Sequence, residues 1–157
     1  MGNSHYNQGG GVNYQCLPLD PEFDGDSMAG DQGNGAMYGV EYESVGGSPF
    51  FSGVHNTDAP CAVCEVDGRS KQLMIPAKKS CPAGWTLEYD GMLASTRYYY
   101  RSSEYICVSS DMESVPNSGA NHNGGLLYVV EAQCGSLPCE NGAYVDGYEM
   151  TCAVCTK

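Results

Sequence analysis

The sequence predicts an all-β fold, built as a tandem duplication of a disulfide-rich β subdomain whose first copy lacks its N-terminal segment. Three observations carry this reading. Short apolar runs are separated by Gly, Pro and Asn, and no stretch sustains a helical period. Nine cysteines in 157 residues imply either an oxidising compartment or metal. And Cys61-Ala62-Val63-Cys64 recurs as Cys152-Ala153-Val154-Cys155, 91 residues later.

The same shift carries Tyr14, Cys16, Asp20 and Glu22 onto Tyr105, Cys107, Asp111 and Glu113. Reduced to 90 by one gap, it aligns Gly35-Ala-Met-Tyr-Gly-Val-Glu41 with Gly125-Leu-Leu-Tyr-Val-Val-Glu131. The repeats are accordingly placed at 1–67 and 68–157. The second opens with Cys81-Pro82-Ala83-Gly84-Trp85. The matching stretch of the first would fall about ten residues before Met1, so an incomplete first repeat is expected, its missing segment removed by processing or truncation or supplied by another chain.

In chain order, residues 2–15 are Gly- and Asn-rich with interspersed aromatics and read as turns leading to a short strand ending at Cys16. Pro18 and Pro21 break regular structure. From Asp20 to Asp31, carboxylates at Asp20, Glu22, Asp24, Asp26 and Asp31 with Gly25 at the sixth position approach the spacing of a calcium loop. The alternative is an acidic surface loop, since no helix leads into it and Asp31 is shorter than the usual Glu. Strands are expected at Tyr38–Tyr42 and Phe50–Val54, with turns at Ser44–Pro49 and Asn56–Pro60. Glu65–Gln72 connects the repeats, and Leu73-Met74-Ile75 is a short apolar strand. Trp85, Leu87 and Tyr89 alternate as in a half-buried strand over Trp85–Leu93.

Arg97–Tyr105 contains Tyr98-Tyr99-Tyr100, which suits a sheet edge or interface, or a platform for stacking sugars. Further strand character appears around Cys107, at Leu126–Val130 and at Tyr148–Val154, with a Gly/Asn loop over Asn117–Gly125. Cys134 and Cys139 bracket a tight Gly-Ser-Leu-Pro turn.

Charge narrows the function classes. A net charge of −12, with ten carboxylates and no Lys or Arg in residues 1–68, argues against nucleic acid, whose phosphates demand basic partners. It fits self-repelling solubility, a cation site or a basic partner. No stretch approaches the roughly 18 apolar residues of a membrane helix. The histidines His5, His55 and His122 are scattered, and neither a nucleophile elbow nor a phosphate loop is present, so no enzyme is expected. His5 and His122 read as surface-loop residues.

Two C-x-x-C blocks admit a zinc site or a redox pair. Against zinc stand the 87 residues between the blocks and the five other cysteines. A redox block prefers a helix start, whereas these blocks lie on apparent strands. Disulfides account for the pattern better, with at least one of the nine cysteines left free or bonded elsewhere.

The cysteine order, the Cys81-Pro82-Ala83-Gly84-Trp85 signature, and the two C-x-V-C blocks ending in Glu65 and in Thr156-Lys157 resemble the C-terminal non-collagenous domain of type IV collagen. The short-chain, spongin-like collagens of sponges and related invertebrate proteins look closer still. Ser4-His5-Tyr6-Asn7, Gly9-Gly10-Gly11, Tyr14-x-Cys16-Leu17-Pro18 and Cys134-Gly135-Ser136-Leu137-Pro138-Cys139 carry that likeness.

The resemblance spans nearly the whole chain and implies nested bridges Cys81–Cys155, Cys107–Cys152 and Cys134–Cys139, with Cys16–Cys61 in the first repeat and Cys64 unpaired or intermolecular. It further implies a secreted module of extracellular matrix that trimerises, or assembles further, by strand exchange. No Gly-X-Y tract is present, so a triple helix would lie outside this chain. The first repeat has no counterpart of the Cys134–Cys139 turn. The alternative reading is a secreted carbohydrate-binding protein, a lectin assisted by calcium, on the strength of the tyrosines and the acidic loop. A third, adhesion or cross-linking through modified tyrosines, rests on the count of 12 Tyr.

Overall fold

The computed structural model describes residues 1–45, 48–140 and 142–157, and within them the fold is all-β, with six strands and no helix. The strands are β1 (Val40–Tyr42), β2 (Gln72–Pro76), β3 (Thr86–Ser95), β4 (Ile106–Ser109), β5 (Gly125–Val129) and β6 (Thr151–Thr156). They form one sheet in the order β1-β5-β3-β6-β2, and β4 pairs with β3 off that path. All pairings are antiparallel except β1 with β5, which runs parallel from Val40↔Gly125 to Tyr42↔Leu127. That ladder joins the two sequence halves, and a 2.7 Å hydrogen bond between Tyr14 Oη and Ser103 Oγ links them elsewhere.

β3 is the centre of the sheet. Its first half pairs only with β6, whereas Gly91–Ala94 also pairs with β4 on the other side. Burial follows the pairing. Gly91–Ser95 are buried, but Leu87 and Tyr89 remain 43% and 38% exposed, so the half-buried alternation expected over Trp85–Leu93 is not what forms. Thr86–Tyr89, the outer part of β3, are all exposed. The core gathers instead around Val40, Tyr42, Phe51, Ala94, Val108 and Leu127.

Phe51 corrects a second expectation. Phe50–Val54 is not a strand. It is a tight turn in which Val54 N–H donates to Phe51 O (3.1 Å) and Ser52 Oγ donates to Pro49 O (2.9 Å). Gly53 and the preceding Pro49 favour turning over extension, and Phe51 is folded fully inward against Tyr42, ring centroids 5.3 Å apart. Nor does a strand end at Cys16; Gln15 instead exchanges hydrogen bonds with Met1 at 2.7 and 2.8 Å. Of the turn expected over Ser44–Pro49, Gly46 and Gly47 lie outside the described residues.

Several local contacts recur between the halves. Ala59 N–H donates to Val40 O, and Met150 N–H to Val130 O, both at 2.8 Å. Tyr42 donates to Thr57 O while Asn56 returns a bond to Tyr42 O, and Ala132 does the same with Tyr148 and Gly147. Asn56 and Gly147 both have left-handed backbones, with φ of 60° and 75°. The bridges Glu41↔Asp58 and Glu131↔Glu149 complete the correspondence.

Four disulfides close the structure: Cys16–Cys61, Cys81–Cys155, Cys107–Cys152 and Cys134–Cys139. No helix among the described residues is long and apolar enough to cross a membrane. The disulfides are consistent with an extracellular or secreted protein.

Candidate functional site

The two Cys-Ala-Val-Cys blocks have identical side chains and opposite surroundings. Cys152–Cys155 lies on β6, hydrogen-bonded on one edge to β2 and on the other to β3, with Leu73↔Cys155 and Leu87↔Cys155 in register. Its four residues are all buried, Val154 at 5% exposure. Cys81, in the connection from β2 to β3, closes a disulfide with Cys155 at a Cα–Cα distance of 5.9 Å.

Cys61–Cys64 forms no strand, contrary to its sequence pattern. All four residues are exposed and Val63 is 88% exposed. Among the described residues no backbone hydrogen bond involves them. Cys61 is tied to Cys16, while Cys64 is an exposed free thiol. Extension requires neighbours to hydrogen-bond with, and this block has none. Cys64 lies close enough to Tyr89 to act on it: burial raises that phenol's pKa, and the negative charge of a Cys64 thiolate raises it further.

The acidic loop is exposed and held by local turns. Asp20, Glu22, Asp24, Asp26 and Asp31 are all exposed. Asp24 Oδ1 accepts the Asp26 N–H at 3.1 Å, and Asp31 Oδ1 accepts the Gly33 N–H at 2.7 Å, which are local Asx-type turns. Among the described residues no group of three or more His, Cys, Asp or Glu converges as a metal set.

Sequence reasoning missed a pair of buried carboxylates. Glu41 is 2% exposed, and its side chain accepts the backbone N–H groups of His122 (2.7 Å) and Asn123 (3.1 Å), pinning the Asn117–Gly125 loop. Asn117, Asn121 and Asn123 bend that loop through left-handed conformations, which Asn tolerates. Glu43 lies two residues on, on the same face, with Oε2 3.4 Å from His55 Nδ1. Burial pushes its carboxyl pKa up; His55 opposes this, Glu41 adds to it and His5 opposes it. His5, expected on the surface, is 5% exposed, with Nδ1 3.0 Å from Gly124 O and its ring against Tyr6 and Tyr100. The alternation Val40-Glu41-Tyr42-Glu43 gave no signal of this, since apolar and charged residues in alternation read as a half-buried strand with its carboxylates in solvent.

The tyrosine run forms neither a sheet edge nor a flat platform. Tyr98, Tyr99 and Tyr100 stack edge to face along a turn, and the Arg97 guanidinium sits 4.6 Å from the Tyr99 ring centroid. Beside them opens a groove of about 700 Å³ lined by Tyr98, Tyr105, Tyr128, Arg97 and Glu131 among others. Thr96 Oγ1, also on its wall, is buried without a hydrogen-bond partner among the described residues.

Compared with protein-family models, with curated proteins and with solved structures, the chain has no match.

Proposed function

We propose that this chain is an extracellular structural module, made of a duplicated β subdomain, that directs self-association of a collagen-like matrix or fibre protein. Trimers or larger networks are the expected products. The observation that carries the reading is the exposed Cys61–Cys64 block, which among the described residues makes no backbone hydrogen bond and leaves Cys64 a free thiol, while its twin in β6 is buried. A segment with free backbone groups and an exposed apolar residue can pair with another chain. The recurring hydrogen bonds of the two halves and the nested order of the bridges support the duplication and the likeness to collagen's non-collagenous domain.

Sedimentation of the oxidised chain across a concentration series tests the proposal. Concentration-dependent trimers or larger species are expected. A strict monomer at the highest concentration would remove it.

A second reading, a carbohydrate-binding protein, is favoured by the tyrosine-lined groove with its unpaired Thr96 hydroxyl. Glycan-array binding that is lost in Tyr98→Ala and Tyr105→Ala would support it. Dependence of that binding on calcium would bring in the Asp20–Asp31 loop; insensitivity to chelator would leave the groove alone responsible.

A further inference from the structure

We infer that the groove beside the tyrosine run takes a saccharide bearing a carboxylate, a uronic acid, and that Arg97 is the residue that selects the acid. The inference rests on the carbohydrate-binding reading for the sugar and deepens it by naming the charge that the sugar carries.

Arg97 stands just past the end of β3, half-buried, on the wall of the groove of about 700 Å³. Its guanidinium is held by rings rather than by a charge, with its carbon 4.6 Å from the Tyr99 ring centroid and 5.8 Å from that of Tyr128. The ion pairs among the described residues are His55–Glu43, Arg69–Glu88 and Lys79–Asp90, and Arg97 belongs to none of them. Its backbone C=O accepts the Tyr100 N–H, but among the described residues no acceptor takes a guanidinium N–H. Aromatic faces draw the cation without using its fork of donors. A carboxylate, with its pair of coplanar acceptor oxygens, satisfies that fork. A phosphate group or a densely sulfated chain shares the acceptor chemistry but brings more negative charge. The net charge of −12, and Glu131 on the same groove, favour the ligand that carries the least.

The remainder of the groove separates a sugar acid from a simple one. Glu131 is exposed and has no cationic partner among the described residues. Its ionised carboxylate only accepts hydrogen bonds, so it calls for a ligand with hydroxyl donors, which a pyranose has and an alkyl carboxylate lacks. Tyr98 and Tyr105 line the groove with side chains that are 91% and 59% exposed. Each offers an apolar face to the C–H side of a sugar ring and a phenol to its hydroxyls. Arg97 is the one basic residue among the described residues that line this groove, so the charge selection falls to it.

The test uses the full oxidised chain and a set of oligosaccharides containing glucuronic, galacturonic or mannuronic acid, each beside its methyl ester. The ester keeps the ring and the hydroxyls and loses the charge. By titration calorimetry, the wild type should bind at least one acid about tenfold more tightly than its ester, the scale of a charge-assisted bidentate pair. Arg97→Lys keeps the charge but not the fork and should lose most of that preference. Arg97→Gln should lose all of it while still binding the ester. Tyr98→Ala, at an exposed position, should weaken acid and ester alike. The acid–ester comparison in the wild type stands even if a variant fails to fold.

Equal binding of acid and ester overturns the inference and leaves the carbohydrate-binding reading in place. No binding of any saccharide, acid or neutral, overturns both. An acid preference that survives in Arg97→Gln removes Arg97 from the role. A tripeptide whose C-terminal carboxylate binds as tightly as the sugar acid would assign the groove to carboxylates at large and overturn the sugar.

Discussion

At Gly91 the backbone of β4 lies close against β3. A Cβ at that position would lie 1.7 Å from Val108 O, on a backbone that cannot retreat without breaking the Gly91↔Ser109 pairing. Gly91→Ala should therefore cost about 3 kcal/mol or more, at the upper end for overpacking, read as a shifted denaturation midpoint. Glu41 acts at the same scale. Glu41→Ala strips the N–H groups of His122 and Asn123 of their acceptor and should cost about 2–4 kcal/mol, with faster amide exchange at both. Glu43 sets a pH dependence. Its folded-state pKa is raised, chiefly by burial, so the folded chain binds the proton more tightly than the unfolded chain does. The stability this contributes is fully present below the ordinary carboxyl value of 4.5 and is lost as pH rises through the folded pKa. In melting curves from pH 4 to pH 8, the wild type should lose stability relative to Glu43→Gln as pH rises; parallel curves would contradict the assignment. None of these three roles was legible in the sequence. Gly91 reads like any of 21 glycines until its neighbour across the sheet is known.

At the scale of elements, composition located most strands and burial patterns misjudged some of them. The apolar runs at Leu73–Ile75 and Leu126–Val130 mark β2 and β5 to within two residues at either end, because both pair in a sheet where side-chain pattern and hydrogen bonding agree. Phe50–Val54 has the residue types of a strand, but Pro49, Gly53 and Asn56 supply turn geometry, and Phe51 reaches the core from a turn. The two Cys-Ala-Val-Cys blocks make the limit plain. Periodicity treats them as equal, yet one lies buried in a strand and the other is exposed, because strand formation depends on neighbours that local sequence does not encode. The same substitution should expose this difference. Val154→Asp buries an unpaired charge and should cost more than about 3 kcal/mol, whereas Val63→Asp should stay within about 0.5 kcal/mol. Urea denaturation of the two oxidised variants under matched conditions measures the contrast, and similar midpoints would refute the burial assigned to β6.

For the molecule as a whole, covalent closure and charge act in opposite directions. The bridges Cys81–Cys155 and Cys134–Cys139 span sequence separations of 74 and 5 residues. Restricting the longer loop removes more unfolded-state entropy, so loss of the first pair should cost about 4 kcal/mol and loss of the second about 2 kcal/mol. Paired Cys→Ala variants under guanidinium test that order. Cysteine spacing alone leaves fifteen pairings open for six cysteines, so the bridges were legible only through the family likeness, not through any local physics. The net charge of −12 works against association, because every copy brings the same repulsion to the interface. Screening falls within about 10 Å at 0.1 M salt and about 3 Å at 1 M. Self-association through the acidic first half should therefore strengthen with salt, the opposite of an interface held by ion pairs between copies. Sedimentation of the oxidised chain at 0.05 M and 0.5 M sodium chloride decides between them. Larger species at the higher salt are expected if apolar and backbone contacts around Val63 drive assembly. Dissociation at the higher salt would place the contact instead on the Lys- and Arg-bearing second half, and Cys61–Cys64 would lose its part in it.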